Sequence, residues 1–139
     1  MRKIPITVYL RGNKMKRDMD LVRQILLAIE QSPRGFAPGK LTVESFTDEQ
    51  IGYHVYIMWQ AGLVEADDNT GRKGGLRARP RNLTWAGHDF LDAARDKTRW
   101  AKAKEIAGKV GGITFEVFKQ LLTTILSGQV DKAMQRVSP

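Results

Sequence analysis

The chain has 139 residues, 42% hydrophobic and 27% charged, a balance that builds a packed domain and excludes wholesale disorder. It has no cysteine, which removes disulfides, thiolate metal sites and a cysteine nucleophile, and its 23 Lys and Arg against 15 Asp and Glu give a net charge of +8 that favours a polyanionic partner. No apolar run approaches the ~20 residues that span a bilayer, and the N-terminal segment lacks the apolar stretch of a secretion signal, so a soluble cytoplasmic protein with no membrane partner is expected.

The charge is strongly segregated. Arg2, Lys3, Arg11, Lys14, Lys16, Arg17 and Arg23 load the first part of the chain. Arg72, Lys73, Arg77, Arg79 and Arg81 load the middle with no acid among them, and Arg95, Lys97, Arg99, Lys102 and Lys104 load a later segment. Residues 41–71 have no Lys or Arg at all but carry Glu44, Asp48, Glu49, Glu65, Asp67 and Asp68.

Residues 1–14 read as a basic extension, β-prone at Ile6, Val8 and Leu10 and closed by the turn signal Gly12-Asn13. Met15 is an alternative first residue, because the residues after it read as the start of a domain. From residue 18 to 31 the stripe of Met19, Val22, Leu26 and Ile29, widened by Leu21, Ile25 and Ala28, predicts a helix that Ser32-Pro33 stops. A Pro/Gly loop over 33–39 comes next, and Leu41, Val43 and Ser45 alternate as a short strand within 40–46. Thr47 and Gln50 form a capping box into a helix that buries Ile51, Val55 and Met58 on one face. Ala61-Gly62 ends it.

Residues 63–66 and 81–84 are expected as the two strands of a hairpin, with 67–80 as its exposed, glycine-rich basic tip. Thr84 caps a helix that turns Phe90, Leu91 and Ala94 inward. A basic helix over 96–110 carries Trp100, Ala103, Ala107 and Val110 and ends at Gly111-Gly112. The last helix, 114–127, brings Val117, Phe118, Leu121, Leu122 and Ile125, and the polar remainder frays. The expected organisation is an extension at 1–14, a domain at 15–96, a helical hairpin at 97–127 packed on it, and a frayed tail at 128–139. The fold class is α+β, mainly α. The order of helix, Ala-Gly stop, strand, basic loop, strand and helix is that of a winged helix-turn-helix with a two-stranded wing and a C-terminal helical extension.

Two resemblances bear on this layout. Ile51, His54-Val55, Met58 and Ala61-Gly62-Leu63-Val64 resemble the recognition-helix region of the arsenic-repressor type of bacterial winged-helix regulators, and Leu83-Thr84-Trp85-Ala86-Gly87-His88 resembles the run that leads out of the wing in that superfamily. Met15-Lys16-Arg17-Asp18-Met19-Asp20-Leu21-Val22-Arg23 together with residues 83–95 resembles a family of small bacterial and prophage proteins known only as a domain of unknown function, over roughly residues 15–122. That second resemblance implies a winged-helix fold, a mobile-element context and Met15 as the usual first residue, and brings no activity with it.

A helix that reads a major groove places Arg, Lys, Asn, Gln or Ser at its first turns. The central helix instead offers Asp48, Glu49 and Gln50, whose carboxylates would face phosphate. The wing is the better nucleic-acid candidate. Arg72, Lys73, Arg77, Arg79 and Arg81, with Lys14, Lys16 and Arg17, are the expected DNA contacts, against the plain alternative of a solvated loop that aids solubility. Tyr53, Tyr56, Ile57 and Gln60 form an uncharged outer face that suits a protein partner, such as a host protein bound by a phage-made inhibitor or adaptor, unless neighbouring segments cover it. Lys97, Arg99, Lys102 and Lys104 either extend the basic surface or form the wet side of their helix.

No enzyme is expected. There is no Gly-x-Ser-x-Gly, no phosphate-cradling Gly-x-x-x-x-Gly-Lys-Ser/Thr and no two-His metal spacing, so no cofactor or metal site is expected either. His54 and His88 read as structural, with His88 tying the wing exit to the core, and Asp89, Asp92 and Asp96 as partners of Arg95 and Arg99. The apolar stripe of the last helix serves either a homodimer or the monomer core.

Overall fold

The computed structural model describes residues 15–71 and 74–137. The chain forms two compact units, Met1–Asn82 and Leu83–Pro139. The first holds α1 (Met19–Glu30), a single 3-10 turn at Pro33–Gly35, α2 (Asp48–Gln60) and the strands β1 (Val64–Asp68) and β2 (Ala78–Leu83), whose last residue opens the second unit. The second holds α3 (Trp85–Ala94), α4 (Lys97–Lys109) and α5 (Phe115–Val137). The described residues are thus mainly helical, with one two-stranded antiparallel sheet. Among them no helix is long and apolar enough to cross a membrane.

In the first unit α1 buries Leu21, Val22, Ile25, Leu26 and Ile29 against α2, which contributes Ile51, Val55 and Met58. The apolar stripe predicted for α1 is therefore the packed one. Asp18 starts this helix by accepting from the backbone N–H groups of Asp20 and Leu21 at 2.9 and 3.3 Å. The capping box of α2 forms as the sequence requires: Thr47 Oγ1 accepts from the Gln50 N–H at 3.1 Å, and Gln50 Oε1 accepts from the Thr47 N–H at 2.9 Å. At the other end Gly62 takes φ +77°, and the Leu63 N–H reaches back to the Met58 carbonyl at 2.9 Å.

Three local expectations are corrected. The strand predicted within 40–46 does not form: Leu41 is buried, but Ser45 sits at φ +74° in a turn that the Phe46 N–H closes onto the Val43 carbonyl at 3.2 Å. The loop before it is tied to the sheet by the Ala37 N–H, which donates to the Arg81 carbonyl at 2.7 Å. The hairpin strands run two to three residues further toward the tip than predicted, so Arg79 joins Arg81 in β2 and the loop is closed between Asn69 and Arg77. The last helix continues to Val137 instead of fraying after 127. Residues 1–14, with Lys14 of the expected DNA contacts, and Arg72 and Lys73 lie outside the described residues.

Aromatic rings make the core of the second unit. Phe90 of α3 meets Trp100 of α4 edge-on at 6.4 Å and Phe115 of α5 at 5.0 Å, and Trp100 meets Phe118 at 5.1 Å. Leu91, Ala94, Ala103 and Leu122 fill the space around them. Val110, expected as the last residue of the basic helix, is 65% exposed, because α4 ends at Lys109 and the chain turns away through Gly111 and Gly112, both at positive φ.

Candidate nucleic-acid interface

The hairpin is positioned by its buried residues. Val64 and Ala66 of β1 and Ala78 of β2 face the core, so by the two-residue period of a strand Arg79 and Arg81 must face outward. Thr70 closes the loop: its hydroxyl donates to the Arg77 carbonyl at 3.2 Å and accepts from the Arg77 N–H at 3.1 Å. The Thr70 N–H also donates to Asp68 Oδ1 at 2.9 Å. This backbone bond from Thr70 is the largest cause holding the Asp68 carboxyl below its usual pKa.

The arginines are not equivalent. Arg81 leans on the acidic strand beside it, 3.5 Å from Asp67 and 3.9 Å from Glu65, both pairs half-exposed to solvent. Such pairs contribute little to stability, but they offset the charge that Arg81 offers a polyanion. Arg77 and Arg79 have no carboxylate partner among the described residues. Arg79 is exposed, while Arg77 is half-buried because its stem lies on α2: a Cβ built on Gly52 would sit 3.1 Å from Arg77 Cβ. Lys16 and Arg17 are exposed just before α1. Their neighbour Met15 lines the same cleft as Gly74, Gly75, Leu76 and Arg77, so the start of the described chain lies beside the hairpin tip. Two basic segments far apart in sequence thereby meet.

The other face behaves differently. Tyr53, Tyr56 and Ile57 are half-buried, and of the four residues expected there only Gln60 is exposed. Tyr53 packs edge-on to His54, and Tyr56 to Trp59 at 5.9 Å, so much of the aromatic surface is used within the chain.

Of the two histidines, His54 is structural. It is buried on α2, with Nδ1 donating to the Gln50 carbonyl at 2.8 Å and Nε2 accepting from the Asp18 N–H at 2.8 Å. The partners thus fix the neutral tautomer, since only Nδ1 faces an acceptor. Burial lowers its pKa below the usual value, outweighing the raising effects of Gln50 and Asp18. His88 does not tie the hairpin exit to the core: its ring is exposed, and its backbone N–H is held by the Thr84 carbonyl.

Two residues have roles that their sequence context does not signal. Arg99, expected in a basic surface or on the wet side of its helix, is buried. Its guanidinium donates to the Ala93 and Asp92 carbonyls at 2.8 and 3.2 Å, which α3 leaves open at its C-terminus, and to Gln129 Oε1 at 2.7 Å. Asp92 pairs with Arg95 at 3.1 Å, as expected, while Asp96 caps α4 through the Arg99 N–H. Trp85 is 83% exposed, the first residue of α3. The Thr84 cap before it is legible in the sequence, but the exposure of the indole is not.

The architecture defines a small, mainly helical α+β protein with an outward-facing arginine strand. Residues 16–114 match the family described as hypothetical protein (DUF2513), and the chain belongs to that family. A relative from Haemophilus influenzae, described as "Uncharacterized protein", is 37% identical over 117 residues, covering 81% of this chain and 97% of its own length. No solved structure matches the chain.

Proposed function

We propose that the protein is a non-enzymatic winged-helix DNA-binding protein of phage or mobile-element origin with a regulatory role. In this reading β1 and β2 are the wing, and the wing and the basic segment before α1 contact the duplex together. The observation that carries it is the meeting of Met15, next to the exposed Lys16 and Arg17, with the hairpin tip, which brings two basic segments to the same cleft beside Glu49. Arg79, exposed on β2, leads the contact; Asp48 and Glu49 keep the first turn of α2 away from phosphate.

The test is fluorescence anisotropy with random-sequence duplex DNA at ~50 and ~200 mM salt, a range over which phosphate contacts weaken binding steeply. Wild-type protein binds at the lower salt and loses affinity at the higher. A variant with Arg72, Lys73, Arg77 and Arg79 changed to Gln loses binding at both. Absence of binding at low salt overturns the reading.

A protein partner is the second reading, and it is Trp85 that favours it. An indole 83% exposed on a helix is a common anchor at protein interfaces. Val130 and Met134, one turn apart on α5 and 51% and 66% exposed, offer a second copy of the chain a similar strip.

A further inference from the structure

The cleft between α2 and the hairpin tip, about 340 Å³ in volume, brings together polar groups that no other described residue pairs with. Glu49 and Tyr53 lie one turn apart on the same face of α2. Arg77 reaches the cleft over Gly52, where the lack of a side chain lets its stem lie close to the helix. The Glu49 carboxylate, the Tyr53 hydroxyl and the Arg77 guanidinium make no hydrogen bond or ion pair among the described residues, not even with one another, although all three residues line the same space. Met15 and Leu76 supply apolar wall. In the neighbouring cleft of about 180 Å³ the carboxylate of Asp48 already has a cation beside it, Lys40 at 3.8 Å.

We propose that this cleft binds a small zwitterion: an α-amino acid or dipeptide with a large apolar side chain, its carboxylate on Arg77, its ammonium on Glu49, and its side chain against Tyr53, Met15 and Leu76. A carboxylate and a guanidinium too far apart to pair are complementary to a ligand carrying both opposite charges at a fixed separation. A simple anion or a simple amine would satisfy one and leave the other. The volume lies in the usual range for small-molecule sites, which leaves room for the side chain. The site is complete in the absence of DNA, and because Arg77 is also among the proposed DNA contacts the titration is done without DNA.

The test is an amide-resolved NMR titration of the full chain with phenylalanine, leucine and leucyl-phenylalanine, each also as its N-acetyl and C-terminal amide derivative. At least one free zwitterion gives saturable shifts at Gly74, Gly75, Leu76 and Glu49, and either derivative weakens binding by up to about fivefold. Glu49→Gln removes the sensitivity to N-acetylation, and Arg77→Gln removes the sensitivity to amidation. Absence of saturable shifts with all three zwitterions overturns the proposal, as does equal binding of the blocked derivatives to wild-type protein.

Discussion

Replacing His54 by Leu isolates one interaction between helices. The imidazole is buried, and its Nε2 is the acceptor for the Asp18 N–H at the start of α1. Leucine keeps the bulk but leaves that donor without a partner, which costs about 2 kcal/mol. Gln50 loses little, because its carbonyl still accepts within α2. With a urea dependence of about 2 kcal/mol per molar, the unfolding midpoint followed by circular dichroism falls by about 1 M. The sign of the pH effect comes from the lowered pKa. The unfolded chain binds a proton near pH ~6.5, and the folded one resists it until lower pH. Stability from His54 is therefore fully present above that value and is lost as pH falls through it, at up to about 1.4 kcal/mol per pH unit. The His54→Leu variant lacks this loss, so its deficit against wild type shrinks between pH 7 and 5. A deficit at pH 7 below about 0.5 kcal/mol, the size of a neutral surface change, would refute the bond from the Asp18 N–H to Nε2, and one that grows on acidification would refute the lowered pKa.

Three further substitutions probe the rest of the molecule. Arg99→Met removes three hydrogen bonds to buried or half-buried acceptors and lowers stability by about 3 kcal/mol, and Arg99→Lys recovers only part of it, since one ammonium cannot span the Ala93 and Asp92 carbonyls and Gln129 together; urea melts measure both. Thr47→Ala opens the capping box and costs about 1 kcal/mol, read as faster hydrogen exchange over the first turn of α2. Trp85→Ala changes stability by less than about 0.5 kcal/mol, whereas Trp100→Ala costs about 3 kcal/mol or more; acrylamide quenching of the wild type loses its most accessible component in the first variant only.

The legible parts of the fold are those whose causes lie within a turn of chain. Thr47 with Gln50, Thr84 with the Gly87 N–H, and Gly62 and Gly111 at positive φ all act on neighbours a few residues away, so helix starts and stops can be read directly. The strand expected over 40–46 failed because, of Leu41, Val43 and Ser45, only Leu41 is buried and Ser45 turns the chain at positive φ, and the sheet consists of β1 and β2 alone among the described residues. α5 runs past 127, where polarity suggested an end, and there Gln129 is held on Arg99, a partner thirty positions away.

The candidate interface divides in the same way. The cations, their segregation and the two strands that carry some of them can be read from the order of residues, since charge and hydrophobic period are properties of composition and local spacing. Which of those cations stay available depends on packing. The fold sets Arg81 beside Glu65 and Asp67, ties Arg99 to Gln129, lays Arg77 across Gly52 and brings Met15 to the hairpin tip, and each of these needs a partner that is distant along the chain and comes within a few ångströms only when the chain has folded.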